Sequence, residues 1–218
     1  MNFERVKKWV MSLIPSELDT ILANDKGGLI DGVVNVFLSS FVPAICMFIL
    51  FLLWGLLFGA MLGLGGLAMG GGQGLLAGGL IGGGYILSGF IVMVALLIFQ
   101  PILFLLSNGV HWILAKLLGG TGRYSDQAFF ESHVQAGMNI LTPALIIVSM
   151  VPCLGSLLMI LFFLYINYPY YKIINKVHGL DNLKAALVVI IPIAILAILV
   201  AAFYLLYFVS LFATTRIR

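Results

Sequence analysis

GVVNVFLSSFVPAICMFILFLLWGLLFGAMLGLGGLAMGGGQGLLAGGLIGGGYILSGFIVMVALLIFQPILFLLSNGVHWILA, residues 32–115, contains no Lys, Arg, Asp or Glu. A helix crosses the hydrocarbon of a bilayer with about 20 apolar residues. The run is too long for one crossing and holds either two long spans or three shorter ones. Beyond it the reading is easier. Val134–Met150, Leu154–Tyr171 and Ala185–Phe212 each suit one crossing. Short, uncharged VPCLGS, with Pro152 and Gly155, suits a tight turn between the first two of these.

The 218 residues are 62% hydrophobic and 9% charged, whereas a soluble domain carries about 45–50% apolar and about 25% charged residues. The composition is that of an integral membrane protein. Lys and Arg gather in cytoplasmic loops, so they decide how the long run divides. With two spans in it, and five in all, one face holds Arg5, Lys7, Lys8, Lys26, Lys116, Arg123, Lys172, Lys176 and Lys184, while the other keeps only Arg216 and Arg218. That is nine against two; six spans give six against five. The expected fold is therefore all-α and polytopic, with five transmembrane helices and short amino-terminal amphipathic helices. The spans fall roughly at 34–62, 85–116, 134–151, 154–172 and 185–212, within a membrane domain of residues 33–218. The amino terminus is expected in the cytoplasm and the carboxyl terminus outside. The first 32 residues are mixed and charged, without the apolar core of a cleavable signal, so the spans direct insertion.

The cytoplasmic segment 1–32 opens with FERVKKWVMSLI, which sets Phe3, Val6, Val10, Leu13 and Ile14 at helical spacing, with Arg5, Lys7, Lys8 and Trp9 on much of the remaining surface. Such a helix can lie on an anionic leaflet or pack on the cytoplasmic loops. Pro15 ends it, Ser16 with Asp19 can cap a second short helix, and Gly27–Gly28 reads as a hinge. Residues 63–84 read as a glycine-rich connection. Fifteen of the twenty-five glycines lie between Gly55 and Gly89, and two ladders repeat every four residues: Gly55, Gly59, Gly63, then Gly66, Gly70, Gly74, Gly78, Gly82. Ladders of this kind let helix backbones approach closely. The expectation is tight packing at both ends with a weakly ordered turn near Gly70–Gly74. Self-association into homo-oligomers can use the same glycines. Pro43, Pro101, Pro143, Pro169 and Pro192 punctuate the spans, and a proline frees a carbonyl that needs another partner in lipid. Gln100 and Thr142 stand beside two of them.

Two segments carry a family likeness. HWILAKLLGGTGRY, residues 111–124, places a histidine at a span end, then leucines, then a GG.G reversal and an aromatic. KVHGLDNLKAALVVIIP, residues 176–192, leads through an HG…KA turn into the last span. Together they resemble the Yip family of integral membrane proteins, over roughly residues 41–211. The resemblance implies five spans with most of the soluble chain at the amino terminus, and roles in membrane organisation and, in eukaryotic members, vesicle traffic. The motif positions it picks out are His111, Lys116, Gly119, Gly120, Gly122 and Tyr124, then His178, Gly179, Lys184, Ala185 and Pro192, with Pro143 in the third span. The chain departs from the family in lacking the Tyr-Ser before that proline and the acidic DLYGP-type sequence before the first span.

Chemistry is sparse. His111, His133 and His178 read as loop and helix-end histidines, since no pair shares the i, i+4 spacing of a helical metal site. Cys46 and Cys153 read as buried structural thiols. Asn35, Gln100, Asn108, Asn139, Thr142 and Asn167 are uncharged, and helix-to-helix hydrogen bonds account for them. No Asp, Glu, Lys or Arg falls at mid-depth in a span, so a proton relay lacks a titrating group. No nucleophile–base pair is legible, and the cations form no stripe for nucleic acid. The expectation is a non-enzymatic scaffold or adaptor without a cofactor. It presents Arg5, Lys7, Lys8, Trp9, Lys172 and Lys176 to anionic lipid or a cytoplasmic protein. The alternative is a small channel or transporter for a neutral or lipid-like solute.

Overall fold

The computed structural model describes residues 2–68 and 73–215. The described residues form seven helices: α1 (Phe3–Met11), α2 (Pro15–Asn24), α3 (Leu29–Ala68), α4 (Gln73–Leu117), α5 (Tyr124–Ser149), α6 (Leu154–His178) and α7 (Asn182–Thr215). Four helices are long and apolar enough to cross a membrane: α3, α4, α6 and α7. The fifth long helix, α5, is more polar in its first half, where Asp126, Gln127, Glu131, Ser132, His133 and Gln135 fall.

The direction of each helix follows from its cross-links. Asn35 and Ser39 of α3 meet Ser132 and Asn139 of α5 in the same order, so these two run parallel. Tyr124 reaches Leu105 and Gln100 reaches Asn139, so α4 runs antiparallel to α5. His178 meets Gln127 and Tyr170 meets Gln135, which sets α6 antiparallel to α5 as well. The ends of α4 and α6 and the starts of α3, α5 and α7 therefore share one end of the bundle.

Residues 63–84 are largely helical rather than a loose connection: α3 continues to Ala68 and α4 resumes at Gln73. The expected turn near Gly70–Gly74 falls mostly on residues 69–72, outside the described residues. On either side the glycine ladders interlock. A Cβ on Gly78 would stand 2.5 Å from the Gly59 carbonyl oxygen and 2.6 Å from the Gly63 nitrogen, and one on Gly82 2.8 Å from the Gly55 oxygen. No side chain fits between two backbones that close. Gly65, Gly79, Gly83 and Gly84 face open space.

The amino-terminal helices are docked on the bundle. Trp9, expected on the exposed surface, is fully buried, and its carbonyl packs on Gly137 of α5. An indole on a helix of alternating charge is more favourably placed under a glycine than in headgroups, because burial removes its large apolar area from water. Leu13 and Leu18 join Val134, Ile166 and Ile173 in one apolar cluster. Tyr165 donates from its hydroxyl to the Leu13 carbonyl. Asp19 does not cap α2, which starts at Pro15 without a side-chain cap; it pairs with Lys172 and Lys176 on α6 instead. Gly27 is no free hinge either, since the Phe129 ring occupies the place of its missing side chain.

Three smaller expectations change. Cys153 is exposed and Cys46 only half-buried. In the α5–α6 turn, Cys153 rather than a glycine takes the positive φ, at 61°. The polar neighbours of the prolines serve other partners. Gln100 reaches across to Asn139, and Thr142 bonds the Met138 carbonyl at 3.1 Å.

Candidate functional site

The GG.G segment and the HG segment, far apart in sequence, form one structure. Gly119 takes a φ of +93° at the end of α4, and Gly179 takes +63° as the left-handed cap of α6, a conformation that costs glycine little. Between them the two turns interlock. Thr121 donates its backbone N–H to the His178 carbonyl at 3.1 Å. A Cβ on Gly120 would lie 2.9 Å from His178 Cβ and Nδ1, and one on Gly122 2.5 Å from the Val177 oxygen. Ala185 is fully buried and packs with Ala115, Ile174, Leu180, Val188 and Val189 beneath these turns. Tyr124 closes the unit by donating to the Leu105 carbonyl at 2.9 Å. Pro143 and Pro192 lie in the bodies of α5 and α7 and take no part in it.

His111 and His178 lie near helix ends, as read, but both point inward from this joint onto side chains. His178 is 1% exposed, and its Nε2 stands 2.8 Å from Gln127 Oε1. Gln127 passes its Nε2 to Glu131 Oε1 at 2.8 Å. Glu131 is itself 1% exposed, and its Oε2 meets His111 Nδ1 at 3.3 Å. The bundle thus holds a buried carboxylate that the span boundaries had placed in a loop. Its reason is local: α5 begins ten residues before Val134, and Gln127, Glu131, Gln135 and Asn139 recur every four residues on its inward face. That spacing was legible in the sequence and is the signal that finds these residues. His133 turns the other way. Its Nδ1 faces the Phe129 carbonyl at 3.0 Å and its Nε2 lies 3.9 Å from Asp25. No group of three or more His, Cys, Asp or Glu suited to a metal ion occurs among the described residues.

A second polar strand runs deeper. Tyr170 donates to Gln135 Oε1 at 3.3 Å, Gln135 to Asn139 Oδ1 at 3.3 Å, and Asn139 to Ser39 Oγ at 2.9 Å. Between the two strands lies a cleft of ≈ 290 Å³, lined by Gln100, Leu103, Phe104, Ser107, Asn108, Glu131, Gln135 and Tyr170.

No protein-family model, no curated protein and no solved structure matches the chain. Function is therefore argued from the geometry.

The cations form a different feature. Arg5, Lys7, Lys26, Lys116, Arg123 and Lys184 are exposed at the shared end of the bundle. Lys8 is exposed but holds Asp25 at 2.8 Å. Lys172 is largely covered, donating to the Pro15 carbonyl at 2.9 Å and to Asp19, while Lys176 lies 3.4 Å from the same carboxylate. These last two fasten α2 to α6. Lys116 reaches back to within 5.8 Å of the Trp112 ring centre, and Lys184 pairs with Asp181 at 3.6 Å.

Proposed function

We propose that the chain is a Yip-type integral membrane protein of five crossings that acts as a non-enzymatic scaffold or adaptor. The observation that carries this reading is the rigid basic platform at one end of the bundle. There α1 and α2, the GG.G turn and the HG turn are locked together by Trp9, by Asp19 with Lys172, and by Thr121 with His178. A surface whose parts hold a fixed spacing can present cations to anionic headgroups, or to an acidic partner, without paying to order a loose tail. The five-crossing count is supported by α5 running antiparallel to both α4 and α6. A helix lying between two that descend has to return the chain to the far side. In this reading the platform faces the cytoplasm, and the carboxyl terminus lies outside.

Photocrosslinkers at Lys7 and Lys116 in intact cells test the proposal. Adducts with anionic lipid or a cytoplasmic protein are expected, and Arg5→Glu with Lys26→Glu should remove them. A tag fused after Arg218 that proved cytoplasmic would overturn the five-crossing topology.

A second reading, a channel or transporter for a neutral or lipid-like solute, is favoured by the polar cleft between α4, α5 and α6. Solute flux into liposomes holding the pure protein, abolished by Gln100→Leu or Asn139→Leu, would replace the scaffold reading.

A further inference from the structure

The cleft has an unusual balance of hydrogen-bonding groups. Each of its amide groups uses one N–H within the protein: Gln100 and Gln135 donate to Asn139, and Asn108 donates to the Phe104 carbonyl at 3.1 Å. The Tyr170 hydroxyl donates to Gln135. The buried oxygens left without a partner are acceptors. Asn108 Oδ1 and Gln100 Oε1 are buried with no partner. Each oxygen of Glu131 has one partner, His111 or Gln127, and an ionised carboxylate oxygen can accept more than one.

Asn108 and Glu131 line the same cleft. Their backbones are tied close together, since Gln127 Nε2 donates both to the backbone carbonyl of Asn108 at 3.3 Å and to the Glu131 carboxylate at 2.8 Å. Gln100 lies eight residues up α4, about 12 Å along the axis, too far to share a single bare ion. The wall between is apolar, formed by Leu103 and Phe104. The cleft opens on the flank of α4, where Leu103 and Ser107 are exposed. Ser107 is ten residues, about 15 Å, from the end of that helix.

We propose that this cleft binds a primary ammonium group, carried by a small free amine or by an aminophospholipid headgroup. Such a group has three N–H donors, one positive charge and no acceptor. It therefore complements the Asn108 oxygen, the Glu131 carboxylate and the Tyr170 phenol oxygen together. A quaternary ammonium brings the charge without the donors, and an anion would be set against the Glu131 carboxylate. The sideways opening on an apolar helix admits a ligand from the bilayer, with Leu103 and Phe104 against its carbon chain. This inference does not depend on the scaffold reading.

The test uses the full chain purified in detergent, followed by thermal melting at constant ionic strength with ethylamine, tetramethylammonium or sodium as the cation. Ethylamine should raise the melting temperature saturably, and the other two should not. Retention of phosphatidylethanolamine over phosphatidylcholine, measured by mass spectrometry after extraction from mixed nanodiscs, reports the lipid source. A response in either arm supports the site and names its source. Glu131→Gln should weaken the response at least tenfold. Asn108→Leu separates loss of the site from loss of the fold. It removes an unpartnered oxygen and one hydrogen bond within α4 but no hydrogen bond between helices, so it should melt within a few degrees of the parent without ligand and respond to neither source. An equal response to tetramethylammonium or sodium, no response in either arm, or a full response in Asn108→Leu would overturn the proposal.

Discussion

Gly120 is where the two turns at the shared end of the bundle are most sensitive to a single carbon. Its backbone is not left-handed, so alanine there carries no dihedral penalty, and its effect is one of space. The added Cβ meets the Ala115 carbonyl oxygen at 2.8 Å and His178 Cβ and Nδ1 at 2.9 Å. Contacts under 3.0 Å force a neighbour to move, and overpacking of this kind costs about 1–3 kcal/mol. Neither neighbour yields easily. Ala115 is the last buried residue of α4, and His178 is held between Thr121 and Gln127. Gly120→Ala should therefore lower stability by about 2 kcal/mol, and Gly120→Val by more, since two further methyls face the same wall. On the scale of a domain this size, each kcal/mol moves the melting temperature by about 2–4 °C. Two controls fix the interpretation. Gly109→Ala in α4 meets nothing within 4 Å and should stabilise by about 0.5–1 kcal/mol, the helical preference of alanine over glycine. Gly119→Ala also meets nothing, but its φ of +93° should cost about 1 kcal/mol through the backbone. The assay is thermal unfolding of the full chain in one detergent. If Gly120→Val melts with the parent, the docking of the two turns is wrong, whatever the controls show.

Gly78→Ala should destabilise by about 1–3 kcal/mol because backbone lies 2.5 Å from its Cβ, whereas Gly79→Ala, facing open space on the same helix, should stabilise by about 0.5–1 kcal/mol, as Gly109→Ala does. The Lys172 hydrogen bond holds the Asp19 carboxyl below its ordinary value. The stabilisation from that pair is complete above about pH 4 and fades as the pH falls further, through the folded-state value. Proteolysis of the α1–α2 segment should accelerate over that acid range in the parent, and Asp19→Asn should be cut faster at neutral pH with a flatter dependence. Cys153 is exposed in the α5–α6 turn; in a Cys46→Ser background an impermeant maleimide should label it in intact cells, and labelling only after permeabilisation would refute the proposed orientation.

Much of the architecture was legible because lipid imposes severe rules on a chain. The absence of charge from 32 to 115, and the strong hydropathy beyond Leu154 and Asn182, mark the four apolar helices by composition alone. Glycine spacing of four residues foretold close helix approach, which the Gly55–Gly82 and Gly59–Gly78 contacts realise. Helix ends were read less well. Polar residues from Tyr124 to His133 looked like loop because they lack apolar periodicity, yet they form the first turns of α5, where their polarity is satisfied inside the bundle. Trp9 was misplaced for a related reason. A helical pattern shows which residues share a face, but not which face a neighbouring helix will cover.

The sequence by itself determined that this is a helical membrane protein with its cations crowded into a few short stretches, because a charge in hydrocarbon is costly and leaves a gap anyone can count. Only the tertiary structure decided that those stretches are brought together at one end of the bundle, and that Asn108, Glu131, Gln135 and Tyr170 converge from three helices upon one cleft. The physical reason is distance along the chain. Spacing within one helix follows from its 3.6-residue turn, whereas the register between helices depends on packing at glycines and turns that no local pattern records.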